Sequence, residues 1–245
     1  MHQDLNALNK QAIATAREFT GEFAWPTVLL VLLVWGLLIA DLCLFATGWL
    51  SLAPAMLLYA VVTYMSYTPL HEAAHGNIHG SHDRLQWLNN LCGYLMAPLI
   101  MVPFSTHKVE HFTPHRYTNQ PDKDPDYVVI RMRAGFLAFL VCGFRFLWVQ
   151  NTFLFRSHWA IAPWRERAVY VAEVMLAIGW RVVFVSLVAQ EHAWALLVFG
   201  YLGGAFFTAY WFAYRPHHPY ADSARYRNTN SLIMPQWMKP LEWFW

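Results

Sequence analysis

The stretch HEAAHGNIHGSH at residues 71–82, followed after an apolar interval by HKVEHFTPHRYTN at 107–119, holds seven of the chain's twelve histidines. His71, His75, His79 and His82 recur at i, i+4, i+8 and i+11. At about 100° per residue on a helix they fall within roughly 80° of arc. His107, His111 and His115 repeat the four-residue step. Isolated histidines such as His2, His158 or His192 are ordinarily satisfied by local hydrogen bonds, but such residues have no reason to repeat twice at helical spacing. Imidazole nitrogen is a ligand for iron and zinc alike, so the pattern predicts a metal site.

Working outward, the histidines follow residues 49–70, which carry no charge, and 25–46, which carry only Asp41. Each block has about the twenty residues a helix needs to span a bilayer. The short turn at Thr47 and Gly48 makes them a hairpin. Composition agrees: 57% of the chain is apolar and only 13% charged, against about 25% charged in a soluble domain. Residues 168–189 and 194–213 form a second hairpin. Within it Glu173 and Arg181 lie eight residues apart on nearly one face, buried against protein or water, and Gly200 with Gly204 marks close helix packing.

Two further apolar stretches are expected not to cross. Residues 85–104 are interrupted by Asn89, Asn90, Gly93, Pro98 and Pro103, and a crossing there would separate the two histidine clusters; a re-entrant or interfacial segment keeps them together. Residues 134–155 carry Arg145 at their middle, flanked by Arg131, Arg133 and Arg156. A charge at the bilayer centre costs at least about 2.5 to 3.5 kcal/mol, which favours a helix lying in the interface.

The expected fold is therefore all-α and integral to a membrane: four transmembrane helices in two hairpins, with interfacial helices and a cytosolic histidine-rich cap. Residues 1–24 form an amphipathic N-terminal segment without signal-peptide features, and 25–245 the membrane domain. In this arrangement the outer turns hold no lysine or arginine, and sixteen of the seventeen basic residues lie on the histidine side, with Arg181 in a span. The positive-inside rule makes that side cytoplasmic, most simply in a bacterial inner membrane. Four crossings also return the chain to it at Tyr214, just before Arg215, Pro216, His217 and His218. The net charge of +2 and the lack of a basic run exclude a nucleic-acid binder. Cys43, Cys92 and Cys142 stand singly in apolar segments, so no disulfide framework follows.

A cluster with more imidazoles than the four ligands of a structural zinc suits two metal ions. Iron fits best, because histidine-rich sites with open positions bind oxygen and generate oxidants able to attack an unactivated C–H bond. At the cytoplasmic ends of membrane helices such a site meets an apolar chain from the bilayer and an electron donor from the cytosol.

The HxxxH of His71 and His75, the second cluster, and the following TNQPDKDPD together resemble the membrane-bound fatty acid desaturase superfamily, which includes carotenoid ring hydroxylases. The resemblance covers roughly residues 50–240. It implies a four-helix anchor with a cytosolic cap, two iron ions held by histidines and O2 as co-substrate. It also implies desaturation or hydroxylation of a membrane lipid with electrons from a ferredoxin- or cytochrome-type donor. His71, His75, His111 and His115 are then iron ligands, with His79, His107, His217 and His218 as further candidates. Asp124 and Asp126 are expected to fix their loop through backbone hydrogen bonds.

The chain departs from the family pattern in the second box, usually HxxHH, where Pro114 stands in place of the middle histidine and His107 compensates. The segment YRPHHPYADSARYRNTN at 214–230 resembles the carotenoid-hydroxylase-like branch, so an acyl chain is the first substrate reading and a carotenoid ring the second. The pattern also calls for a final HxxHH box, yet the sequence reaches Trp245 within the aromatic run LEWFW; a truncated copy that binds iron weakly is expected. A reading from another class is an intramembrane zinc protease, because His71, Glu72 and His75 spell HExxH. It leaves the second cluster and the His217 pair without a role.

Overall fold

A computed structural model describes residues 5–18, 21–224, 227–230 and 233–239. Among these the chain is helical without strands: α1 (Leu5–Ala16), α2 (Trp25–Ala46), α3 (Leu52–His75), α4 (Gln86–Ile100), α5 (Phe104–Tyr117), α6 (Phe136–Phe153), α7 (Trp164–Leu187) and α8 (Ala193–Thr208). α6 and α8 each run on into a wider π-turn, Leu154–His158 and Ala209–Tyr214. The LEWFW run falls outside the described residues.

Four helices are long and apolar enough to cross a membrane: Trp25–Ala46, Phe136–His158, Trp164–Leu187 and Ala193–Tyr214. Many of their large apolar side chains point outward, among them Leu32, Ile39, Met175, Leu187 and Phe199, as lipid-facing surfaces require. This set differs from the sequence expectation, which counted α3 and not α6. The reason is position. α3 has 24 residues but is the central helix, packed against α2, α4 and α8, and its buried positions Tyr59, Thr63, Ser66 and Tyr67 meet protein rather than lipid.

α3 and α8 run parallel. Tyr59 lies by Gly200, Thr63 by Gly204, and Tyr67 against Phe212 with ring centroids 4.5 Å apart. A Cβ on Gly200 would sit 2.7 Å from the Tyr59 ring, so the GxxxG spacing does permit the close approach it suggested. At one end Gly48, in the α2–α3 turn, meets the Gln190 side chain of the α7–α8 turn. The opposite end carries the histidines.

α4 and α5 are bent against each other by 89°. Met101 takes a left-handed backbone (φ 55°) at the break, and Pro103 has no N–H to return to the Leu99 carbonyl. α4 starts near Ala73, whose carbonyl accepts from Asn89 Nδ2 at 2.9 Å, and α5 comes back to place His111 beside His75. Both limbs thus open at the histidine end, as the re-entrant expectation requires.

Two ionisable residues of α7 hold this break together. Arg181 Nη1 donates to the Pro98 carbonyl at 2.7 Å and Nη2 to the Leu99 carbonyl at 2.8 Å. Glu173 accepts from the Phe104 and Ser105 amides at 2.6 and 3.2 Å and from the Ser105 hydroxyl. The orphan carbonyls of one helix end and the orphan amides of the next are thereby satisfied from a third helix.

α6, expected to lie in the interface, is instead long and apolar enough to cross, and its contacts gather at one end. Gly143 and Phe139 meet Phe206 late in α8, Gln150 reaches Glu110 of α5, and the Asn151 carbonyl accepts from Tyr170 early in α7. All of these partners lie toward the histidine end.

Candidate metal centre

α3 continues past its apolar core into His71 and His75, which share one face, and stops because Gly76 turns left-handed (φ 75°) at its C-cap. α5 brings its own four-residue series against that face. The rings of His71, His75, His111 and His115 gather with centroids 4.6 to 5.2 Å apart across the pairs His71–His111, His111–His115 and His75–His115. Each offers one nitrogen, and these nitrogens all lie within 4.8 Å of one another. His111 Nε2 is 3.0 Å from His75 Nε2 and 3.1 Å from His115 Nε2. Three converging ring nitrogens of this kind are the arrangement a cation would draw together.

The protonation state suits ligation. Burial, then the neighbouring histidines, hold His75 down to about 4; burial chiefly holds His107 to about 3. His111 is pushed lower still by burial and by the rings around it, and His115 is lowered in the same way. At neutral pH these rings are uncharged, with lone pairs available to a metal.

His71 is oriented by its neighbour in sequence. Its Nδ1 lies 3.0 Å from Glu72 Oε1, and Asn77 donates to Glu72 Oε2 at 2.8 Å. Burial opposes ionisation of Glu72, but the hydrogen bonds from His71 and Asn77 outweigh it and hold the carboxyl below its usual value. A carboxylate on Nδ1–H fixes the tautomer and presents Nε2 to a metal. With both oxygens engaged, Glu72 is poorly placed to be the free general base of a protease.

A cavity of 190 Å³ opens beside these rings, lined by His71, His111 and His115 together with Tyr67, Asp126, Phe212 and His217. Of the other expected ligands, His107 is buried next to His111 and Tyr67, with both ring nitrogens lacking hydrogen-bond partners. His217 reaches the cavity and has a buried, unpartnered Nδ1. His218 turns to the Tyr214 hydroxyl, 3.0 Å from its Nδ1. His79 lies by Gly76 and joins neither the four-ring group nor the cavity lining.

Sequence reasoning missed the acidic layer behind the rings. Glu110 is buried with Oε2 3.6 Å from His107 Nδ1, accepts from Gln150 at 2.7 Å, and is pushed up to about 8 by burial. Asp126 is raised by burial and by the charge of Glu110. A glutamate one residue before His111 was visible; its partner Gln150, forty positions away, was not. Asp124 does what was expected of it, accepting from the Asn119 and Asp126 amides at 2.8 and 2.9 Å, whereas Asp126, expected to do the same, turns to the cavity with its Oδ1 buried and unpartnered. Asn119 in turn donates to the Asp222 and Asn228 carbonyls at 2.7 and 3.0 Å, which pins the His217 segment onto the loop after the second cluster.

The residues present fit iron: uncharged converging imidazoles, buried and unpartnered ring nitrogens on His107 and His217, and a cavity reaching the ring edges.

Comparison with known proteins gives a consistent result. The family model described as fatty acid desaturase matches residues 47–245. An sn-1 oleoyl-lipid 12-desaturase of Anabaena variabilis is 25% identical over 225 residues, covering 81% of this chain and 59% of the relative. A protein of the same description from Picosynechococcus sp. is 36% identical over 77 residues, 31% of this chain and 22% of its own length. Delta(12) fatty acid desaturase fat-2 of Caenorhabditis elegans is 31% identical over 77 residues, 31% of this chain and 19% of its own. The match thus covers less than two thirds of the length of each of these curated relatives. No solved structure matches it.

Proposed function

This chain belongs to the fatty acid desaturase family, and from that premise we propose that it is an integral membrane oxidoreductase that desaturates a lipid acyl chain at a centre of two iron ions. The observation that carries the proposal is the convergence of His75, His111 and His115, from helices joined through a re-entrant bend, on ring nitrogens about 3 Å apart. The overall change converts –CH2–CH2– to –CH=CH–, with O2 reduced to two waters by those two hydrogens and by two electrons and two protons from outside.

In this reading His71, His75, His111 and His115 hold metal, with His107 and His217 completing a second position. Bound iron would supply the reduction of O2 to an oxidant strong enough to take hydrogen from an unactivated C–H bond. The chain's own residues do the rest. Glu72 keeps the His71 ring in one tautomer. Tyr67 and Phe212, in tilted ring contact at the cavity wall, offer an apolar edge to a methylene chain and exclude water from it. Glu110 and Asp126 are buried carboxyls raised by burial, and Glu110, pushed up to about 8, holds a proton near neutrality close to where the reaction consumes it.

The substrate enters from the bilayer, and the electrons come from a ferredoxin- or cytochrome-type donor on the histidine side, whose cytoplasmic placement is supported by the excess of lysine and arginine expected there. The test is expression of the full gene in a bacterial host, with acyl and pigment profiles recorded alongside iron per chain. A new double bond with about two irons supports the proposal. A hydroxylated carotenoid would instead favour the ring-hydroxylase reading that the His217 segment suggests, and zinc without a lipid product would count against both.

A further inference from the structure

Between the turn Pro125–Val129 and the start of α6 lies a groove of 670 Å³, within the roughly 300 to 1,000 Å³ typical of small-molecule sites. Its walls are aliphatic, with Val128, Leu137, Ala138 and Val141 among them, and its only charged lining residues are Arg131 and Arg145. Ala138 and Arg145 stand seven residues apart on α6 and so share one face. Among the described residues neither guanidinium makes an ion pair, and no carboxylate lines the groove. Next to it α6 exposes Phe136, Leu137, Phe144 and Trp148, each more than half accessible, the surface of a helix embedded among lipids at headgroup depth.

We propose that this groove binds an anionic phospholipid, with the phosphate held between Arg131 and Arg145 and one acyl chain lying along the aliphatic wall. Charge complementarity selects the occupant: two unpaired cations call for an anion, and the apolar walls leading from them call for a hydrocarbon chain attached to it. Guanidinium is also the side chain whose planar fork matches phosphate oxygens. The groove is separate from the metal cavity. The turn between them contributes Tyr127 and Val128 to the groove and Asp126 to the cavity. The site does not depend on the catalytic reading, because lipid retention and iron content are measured independently.

The test uses the full chain purified in detergent and equilibrated with phosphatidylglycerol or phosphatidylcholine, with retained lipid counted by native mass spectrometry. The wild type is expected to retain one phosphatidylglycerol in preference to phosphatidylcholine. R131Q/R145Q should bind phosphatidylglycerol about 30-fold more weakly, the electrostatic share of two cations at an anionic surface. R84Q/R165Q, with the same change in charge elsewhere, should keep the preference. Ala138→Trp fills the groove and should abolish retention with both arginines intact, so the proposal stays testable if the double glutamine variant fails to fold. No preference in the wild type, a preference surviving R131Q/R145Q, or saturation by inorganic phosphate alone at the same concentration would each overturn it.

Discussion

Glu173 and Arg181, two turns apart on α7, hold opposite sides of one backbone break: Arg181 takes the carbonyls that end α4, and Glu173 the amides that begin α5. The α5 limb carries His107, His111 and His115, so the geometry of the metal centre rests on a pair of charged residues that are not themselves candidate ligands. Arg181→Leu would leave two carbonyls unpaired in a low-dielectric interior at about 1 to 3 kcal/mol each. The expected result is a thermal midpoint several degrees lower in detergent together with reduced iron content. Arg181→Lys, which keeps a donor but loses the fork, should fall between the two. Full iron loading in Arg181→Leu would show that the break is held by other contacts.

The histidine substitutions should separate along lines that spacing alone does not draw. Alanine at His75 or His111 is expected to remove most of the iron, because their nitrogens stand within about 3 Å of a neighbouring ring. Alanine at His218, which faces the Tyr214 hydroxyl, should leave iron content near that of the wild type. Iron per chain by elemental analysis decides. Loss of iron in His218→Ala equal to that in His75→Ala would move His218 into the centre.

Much of this arrangement was legible because it is local. Helical repetition of histidine, the uncharged run before His71 and the GxxxG in α8 are each read within one segment. The proline- and asparagine-broken stretch at 85–104 also announced a segment that is re-entrant or interfacial rather than a plain crossing, since a crossing would have parted two clusters that belong together. What escaped reading depends on pairs far apart in the chain. Nothing near Gln150 points to Glu110, and Glu173 and Arg181 could be placed on one face without naming the helix ends they satisfy. α3 looked like a span of the same kind as α2, whereas its central position lets it carry Tyr59, Thr63 and Ser66 on buried faces. His79 shows the converse limit. Helical spacing lined it up with His71 and His75, but the helix stops at Gly76, so the periodicity had no structure to continue in.

Glu72 is expected to act through His71 rather than as a base. Glu72→Ala should free the ring to rotate and weaken iron binding by about 10- to 100-fold, the usual loss when a metal-bound histidine's carboxylate partner is removed. Glu72→Gln keeps an acceptor for His71 Nδ1 and should restore most of the affinity. Iron titration of the apo-protein compares the two. An equal loss in both variants would point to the charge of Glu72, not its positioning of the ring, as the source of the effect.

Stability of the iron-free protein should fall as pH rises from about 6.5 to about 8. His75 and His107 are held to about 4 and about 3 in the fold against 6.5 for a free ring. As pH falls below 6.5 the unfolded chain therefore takes up protons that the folded one refuses, and stability declines. Glu110 has the opposite sign. Raised to about 8 from 4.5, it keeps its proton in the fold after the unfolded chain has lost it. Its contribution is full below 4.5 and is lost as pH rises through about 8. Between 4.5 and 6.5 the lowered histidines and the raised carboxyls Glu110, Asp124 and Asp126 act with opposite sign; above 6.5 the histidine contribution is flat and the Glu110 decline shows. Thermal midpoints of the apo-protein at pH 5, 6.5 and 8 test this, with Glu110→Gln expected to flatten the alkaline side. No decline between pH 6.5 and 8, or a decline of undiminished slope in Glu110→Gln, would refute it.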